Sequence, residues 1–406
     1  MPRAAGAGAP RPRPDLRALN GFSDLRVVAL ATEAFGGYGG IAQSTCDLLS
    51  ALSSMTEISK IEILPRLAPG GERSAPDRIR QHAPRPGRLS YALGASALVR
   101  SVRPQVIYCG HVFMVPLAAA LARRFGAKLV AHLHGLELTH GNFGGLRRIG
   151  LEQADLALCV SRDTQAKVLA GARLPRSRTE VIYNTYGPSF TPGDRAAARR
   201  RFGLEPDAFV LLTVSRLDAR QRHKGHDMVL DALAARRTGG RKLTYLIAGS
   251  GDDRPRLEAR SHDLGLGDIV RFVGRVAEEA LPDLYRAADL FVMPSTGEGF
   301  GIAFVEAMAC GTPALGLDAG GAADALVPGE LGVAATPETF ADALYAQLSA
   351  PAIDRAALAS KVRRRFGAAA FEARVDAAFS RLLGDAGSAA GRPSDANRKH
   401  PAHVLG

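Results

Sequence analysis

Short runs rich in β-branched residues recur along this chain, each followed by a stretch with helical periodicity. That alternation limits the fold more than any other feature. LRVVALA (25–31), KIEIL (60–64), QVIYCG (105–110), KLVAHLH (128–134) and LALCVS (156–161) make one series, with helical intervals such as AQSTCDLLSAL (42–52) between them. After the turn-rich stretch NTYGPSFTPGD (184–194) a second series follows: FVLLTVS (209–215), LTYLIAG (243–249), IVRFVG (269–274), LFVMPS (290–295) and TPALGL (312–317). A helix between two strands carries the chain back to the same edge of a sheet, so the strands pair in parallel and are covered on both faces. A chain of 406 residues exceeds what one ordinary core fills. Two doubly wound α/β domains are therefore expected, with their boundary near 185–205. FEARVDAAFSRLL (371–383) reads as a closing amphipathic helix, and the polar stretch 384–406 as disordered.

Charge and cysteine content narrow the function classes. The net charge is +12, and residues 1–190 hold 24 Lys and Arg against 13 Asp and Glu, while residues 191–406 hold 28 against 27. The basic surplus therefore belongs to the first half. Residues 65–104 carry eight arginines and two acids on a background of Pro and Gly. That segment suits an anionic membrane surface, and equally a plain solvated surface. Nucleic acid is disfavoured, since no aromatic residues interleave the charge. The four cysteines are far apart with no CxxC pair, which argues against a disulfide framework or a zinc site. No run of eighteen apolar residues and no apolar leader segment occur, so a cytoplasmic protein is expected, with peripheral attachment to the inner face of the membrane as one reading of the basic segment.

In open parallel sheets ligands sit beyond the carboxyl ends of the strands, so the loops there carry the candidate chemistry. TEAFGGYGGIAQ (32–43) opens a helix with glycines that let a phosphate approach backbone N–H groups. It also contains a G-x-G-x-x-A match, Gly37 to Ala42, with Glu62 twenty residues on. A dinucleotide-binding protein without transferase activity is thus the rival reading, weakened because the first glycine follows its strand late and Glu62 reads as mid-strand. RLDARQRHKGHD places Arg216 and Lys224 in one loop, two cations suited to a diphosphate. In GEGFGIAFVEAMACG (297–311) Glu298 precedes a Gly-Phe-Gly turn that begins a helix, and Glu306 lies inside that helix. The helix start directs free N–H groups at an anion. One glutamate is then placed on each side of a diphosphate.

These residues resemble a known family. EGFGIAFVEAMACGTPAL with VSRLDARQRHKGHDMVLDAL, LIAGSGD, IVRFVGRV, VIYN, LHGLEL and GGIAQS is similar to the retaining glycosyltransferases of family 4, over roughly residues 25–383. The resemblance implies the GT-B fold, two facing Rossmann-like domains. These would be an acceptor-binding domain at 23–190 after a flexible basic segment at 1–22, and a nucleotide-sugar-binding domain at 191–365. A helix at 366–385 would return to the first domain, and a disordered tail would fill 386–406. Arg216 and Lys224 would neutralise the donor diphosphate, with Gly39 and Gly40 approaching from the other domain and Phe300 and Gly301 adding N–H groups. Glu298 would hold the transferred sugar, Glu306 the ribose, and His134 would stand beside the sugar, with His132 as second choice. Asn184-Thr185-Tyr186-Gly187 departs from the family's usual N-G-V-D, and Asp324 stands where a glutamate is more common. The implied activity is transfer of a hexose from a nucleotide diphosphate sugar to a saccharide or lipid-linked acceptor in surface polysaccharide or glycolipid synthesis, with no metal and no other cofactor.

Overall fold

A computed structural model of the protein describes residues 24–71, 74–138, 143–235 and 242–384. The basic segment 1–22 and the tail 386–406 lie outside the described residues. The first sheet comprises β1 (Leu25–Ala31), β2 (Ile58–Pro65), β3 (Ile79–Gln81), β4 (Val106–Cys109), β5 (Lys128–Leu133), β6 (Leu156–Cys159) and β7 (Thr179–Val181). It runs β3-β2-β1-β4-β5-β6-β7, every pair parallel. The second comprises β8 (Phe209–Val214), β9 (Leu243–Ala248), β10 (Val270–Gly274), β11 (Leu290–Met293), β12 (Ala314–Leu317) and β13 (Val333–Ala335), in the order β10-β9-β8-β11-β12-β13. Its pairs are parallel as well.

Helices α1 (Gly40–Ser54), α2 (Arg88–Val102), α3 (Val115–Phe125), α4 (Leu146–Leu151) and α5 (Arg162–Gly171) follow strands of the first sheet. Those following strands of the second, with α6 leading into it, are α6 (Arg195–Arg201), α7 (His226–Ala235), α8 (Arg254–Asp263), α9 (Leu281–Ala287), α10 (Ile302–Ala309), α11 (Ala322–Leu326), α12 (Phe340–Ser349) and α13 (Arg355–Phe366). In each sheet the strand order reverses once, between β1 and β4 and between β8 and β11. A crevice opens at such a switch point because the loops on either side turn to opposite faces.

The central strands are almost wholly apolar, as strands covered on both faces must be: β4, β6, β11 and β12 are buried along their full length. The three strands that the hydrophobic pattern does not reveal, β3, β7 and β13, are each three residues long and lie at sheet edges. Three residues are too few to show a period, and an edge needs little apolar sequence.

Helix α14 (Ala368–Gly384) crosses back from the second half. Phe371, Val375, Phe379 and Leu382 recur every three or four residues and so form one stripe. The stripe is buried with Leu48 and Leu52 of α1 and with Val27 and Tyr108 of the first sheet. Phe379 is fully buried there. Phe379→Ala should therefore lower stability by about 3–5 kcal/mol in denaturant unfolding of the full chain, the usual cost of deleting a buried aromatic ring. A change below about 1 kcal/mol would mean that the helix is not part of this core.

Candidate active site

The loop after β1 brings its glycines to the crevice. Gly39 is the N-cap of α1 at φ +84°, a left-handed conformation open to glycine at little cost, and no side chain caps the helix. A side chain on Gly40 would meet Ile302 of α10 at 3.5 Å, so the two helix starts face each other across the crevice. Tyr38 adds a bridge between the halves, with the Arg275 guanidinium 4.6 Å from its ring centre.

From the second half come Lys224 and Glu298. Lys224 Nζ lies 2.6 Å from Glu298 Oε1, and both side chains are largely shielded from water. The resemblance assigned them to neighbouring groups of one ligand, and the fold pairs them directly with each other. Arg216, just past the end of β8, is exposed and its side chain has no ion-pair partner among the described residues. Among the described residues it forms no hydrogen bond or ion pair with Lys224 or Glu298. Phe300 is buried, stacked on Tyr183 and edge-on to Phe366, so its side chain anchors the loop and only its backbone faces outward chemistry. Gly301, at φ +92°, is the N-cap of α10. Among the described residues, the amides of Gly299, Phe300 and Gly301 have no protein acceptor and remain free for an anion.

The histidine end of the site belongs to the first sheet. His134 is buried at the end of β5, with Nε2 3.0 Å from the Gly110 carbonyl. A carbonyl only accepts, so Nε2 carries the proton and Nδ1 is left as an acceptor. Burial pushes its pKa down to about 4, opposed by the Gly110 bond, so the ring is neutral at physiological pH. Its backbone N–H donates to Glu137 Oε1 at 2.6 Å. His132 is committed elsewhere: its Nδ1 meets the Tyr108 hydroxyl at 2.8 Å and its Nε2 lies 3.5 Å from Ser44 Oγ, which donates to Asn184 at 2.6 Å. This buried chain commits both sides of the His132 ring and gives Asn184, the one residue of its stretch that keeps the family's usual type, a hydrogen-bonding role. Glu62 is likewise committed, buried in mid-β2 against Lys60 and His82. It is not free to bind the ribose of a dinucleotide.

Glu306 occupies α10, half-buried, and Tyr285 donates to its Oε2 at 2.9 Å. Burial pushes its pKa up to about 7; the Tyr285 bond opposes this, and the charges of Asp47 and Glu278 add to it. Asp47, two turns into α1, is itself pushed up to about 6 by burial, and its Oδ2 is buried with no hydrogen-bond partner among the described residues. The sequence gave no sign of Asp47 beyond its place in the helix after the glycine loop. Asp324 also acquires a role that its sequence position did not show. It accepts from the Arg162 backbone N–H at 2.6 Å and from its guanidinium at 2.5 Å, tying α11 of the second half to α5 of the first.

The halves touch through backbone. A Cβ on Gly299 would sit 1.8 Å from the His134 carbonyl oxygen, and one on Gly321 would sit 2.0 Å from that of Gly299. The loop bearing Glu298 therefore rests against the strand end bearing His134 only because glycine stands there.

Comparison with known proteins bears on the family and the fold. Residues 194–372 match the family described as glycosyl transferases group 1, and residues 38–189 match glycosyltransferase family 4. The D-inositol 3-phosphate glycosyltransferase of Thermobispora bispora is 34% identical over 323 residues, covering 73% of this chain and 74% of that protein. That of Geodermatophilus obscurus is 37% identical over 232 residues, covering 53% of this chain and 50% of that protein. The chain thus spans about half the length of several curated relatives that it matches. Among solved structures, Anabaena Alr3699/HepE in complex with UDP and glucose superposes with a TM-score of 0.70 at 21% identity, over 88% of this chain and all of that one. The architecture is GT-B.

Gly299→Ala should force the two halves apart, because backbone meets backbone there and no side chain can yield. A loss of about 1–3 kcal/mol in stability is expected from the overpacking. Gly267→Ala, where a Cβ meets nothing within 4 Å, should leave the melting curve unchanged. Equal behaviour of the two variants would refute the contact.

Proposed function

The chain belongs to the group 1 glycosyl transferases of family 4, and on that premise we propose that it is a retaining enzyme. It moves a hexose from a nucleotide diphosphate sugar to a saccharide or lipid-linked acceptor in polysaccharide or glycolipid assembly. The observation that carries this reading is the Lys224–Glu298 pair in the loop that rests against the His134 carbonyl. A cation for a phosphate and a carboxylate for sugar hydroxyls stand side by side, as the two groups do in a nucleotide sugar. The names of the relatives and the UDP and glucose bound by the Anabaena protein support a donor of this class.

In this reading the donor diphosphate lies over the amides of Gly299 to Gly301 and draws Lys224 from Glu298, which then accepts from the sugar hydroxyls. Arg216, on a flexible side chain at the mouth, swings onto the same diphosphate. The bond between the anomeric carbon and the phosphate oxygen breaks with its electron pair leaving on the phosphate, where the cations and helix-start amides stabilise the developing charge. The acceptor oxygen bonds to the same face of the sugar and its proton passes to the departing phosphate. Neutral His134 accepts a hydroxyl hydrogen at Nδ1. Glu306 accepts from the ribose. No step calls for a metal ion.

Incubation with UDP-, GDP- and ADP-sugars, reading free nucleoside diphosphate, tests the proposal, and EDTA should leave the release unchanged. Glu298→Gln should mainly lower kcat, while Glu306→Gln should mainly raise KM for the donor, since the ribose contacts do not change during reaction. Release of no nucleotide from any donor would overturn the assignment. So would a strict need for a divalent cation.

The raised pKa of Glu306 predicts a pH dependence. Ribose hydroxyls favour the ionised carboxylate, so below about pH 7 binding must first expel a proton, and each unit of acidification weakens donor affinity up to about tenfold. Affinity should therefore rise between about pH 6 and about pH 8 and level off above. Calorimetry with the intact nucleotide sugar measures this, and Glu306→Gln should flatten the profile.

A further inference from the structure

Two histidines stand close together between β8 and the first turn of α7, and the fold treats them differently. His226 Nε2 lies 3.0 Å from Ser215 Oγ, so that ring is satisfied within the protein. His223, next to Lys224, has a buried Nε2 with no hydrogen-bond partner among the described residues, and no other histidine among them has a buried nitrogen in that state. A buried polar atom without a partner costs free energy, which a ligand or a water recovers by completing the bond. The place of the ring is set by its backbone instead. The Thr296 N–H donates to the His223 carbonyl at 2.9 Å, and the preceding Arg222 is held by Asp253, Nη2 to Oδ1 at 2.9 Å. After Lys224, a Cβ on Gly225 would sit 2.2 Å from the Pro294 carbonyl oxygen, so the loop lies directly on the segment that leaves β11.

The surroundings of the ring are those assigned above to the sugar. A Cβ on Gly297 would meet His223 Cδ2 and Leu136 Cδ2 at 3.4 Å each. The ring thus rests beside the residue that precedes Glu298, together with a side chain from the first half. Leu136 follows His134 by two residues and is 43% exposed. We propose that His223 Nε2 hydrogen-bonds a hydroxyl of the transferred hexose and so sets which hexose the enzyme prefers, an inference that rests on the transferase function proposed above. Burial, and then the charge of Lys224, hold the His223 pKa below the usual histidine value, against the pull of Glu298. The ring is therefore neutral at physiological pH and offers one N–H and one acceptor nitrogen. A hydroxyl both donates and accepts, so it matches either tautomer, whereas a phosphate favours a cation, and Lys224 already supplies one. Epimeric hexoses differ in the direction of a single hydroxyl. A site with a buried polar atom to satisfy discriminates against the epimer that leaves it unpaired.

Calorimetry of the full chain with UDP-glucose, GDP-mannose and ADP-glucose, each beside its free diphosphate, tests this. His223→Phe keeps a ring and removes both nitrogens, while His223→Gln restores an amide near the place of Nε2. The Phe variant should bind the nucleotide sugar about fivefold to tenfold more weakly, in the range of one neutral hydrogen bond, and bind the free diphosphate as wild type does. The Gln variant should regain most of that loss. Both should melt at the wild-type temperature, since no protein group loses a partner. Donors that lack one sugar hydroxyl each then identify the contact. One of them should bind wild type about fivefold to tenfold more weakly than the parent donor, and that same one should bind His223→Phe as well as the parent does. Unchanged sugar binding by His223→Phe would overturn the inference and leave the transferase reading standing. An equal loss for the sugar and the free diphosphate would overturn it too, by placing the nitrogen on phosphate or in the structure of the loop. Binding of none of the three nucleotide sugars would remove the transferase reading, and this inference with it.

Discussion

The site depends on one steric constraint: at the floor of the crevice there is room for backbone and for nothing more. The His134 carbonyl, the Gly299 backbone and Gly321 are stacked in that order, and a single methyl group on either glycine would sit about 2 Å from a carbonyl oxygen. Gly321 N–H also donates to the Glu298 carbonyl at 2.8 Å, which fixes the loop from behind. This close approach brings a residue after β11 against a residue after β5, although the two belong to different sheets. Side-chain packing alone would hold the halves several ångströms farther apart.

Around that contact the electrostatics are graded. Toward His134 the imidazoles are neutral, since burial holds His132 and His134 well below the usual histidine range. At the centre Lys224 and Glu298 neutralise each other in a shielded site, which costs less than burying either charge alone. On the proposed function, an anion arriving there would exchange one partner of Lys224 for another and leave a carboxylate oriented for hydroxyl groups. Toward α1 and α10, burial makes Asp47 and Glu306 hold protons more tightly than carboxyls in water, and the charge of Asp47 adds to the effect on Glu306. A neutral polyol fits that end better than a second anion.

The halves are also joined by contacts of different kinds. Asp324 links α11 to Arg162, Tyr183 stacks on Phe300 with Arg374 above it, and α14 buries its stripe in the first core. Tyr183 thus sits where the crossing chain, the loop of Glu298 and the returning helix meet. Its neighbours come from three separate parts of the sequence, so motif spacing alone does not identify it.

The sequence by itself determined the two parallel sheets, because ten apolar runs alternating with helical periods admit little else. It also marked Arg216, Lys224, Glu298, Glu306 and the glycine loop as candidates, because their types and positions after strands carry chemistry, and the family resemblance added His134. Only the tertiary structure decided how these groups are used. It paired Lys224 with Glu298, committed His132 to Tyr108 and Ser44, left Arg216 exposed, and brought Asp47 to Glu306. The three edge strands were hidden for a related reason: they pair through backbone hydrogen bonds, which any residue but proline can make. Sequence periodicity records which face of an element is buried. Which groups from distant elements share a buried space depends on how closely the elements approach, and here glycine backbone contacts between the two sheets set that distance.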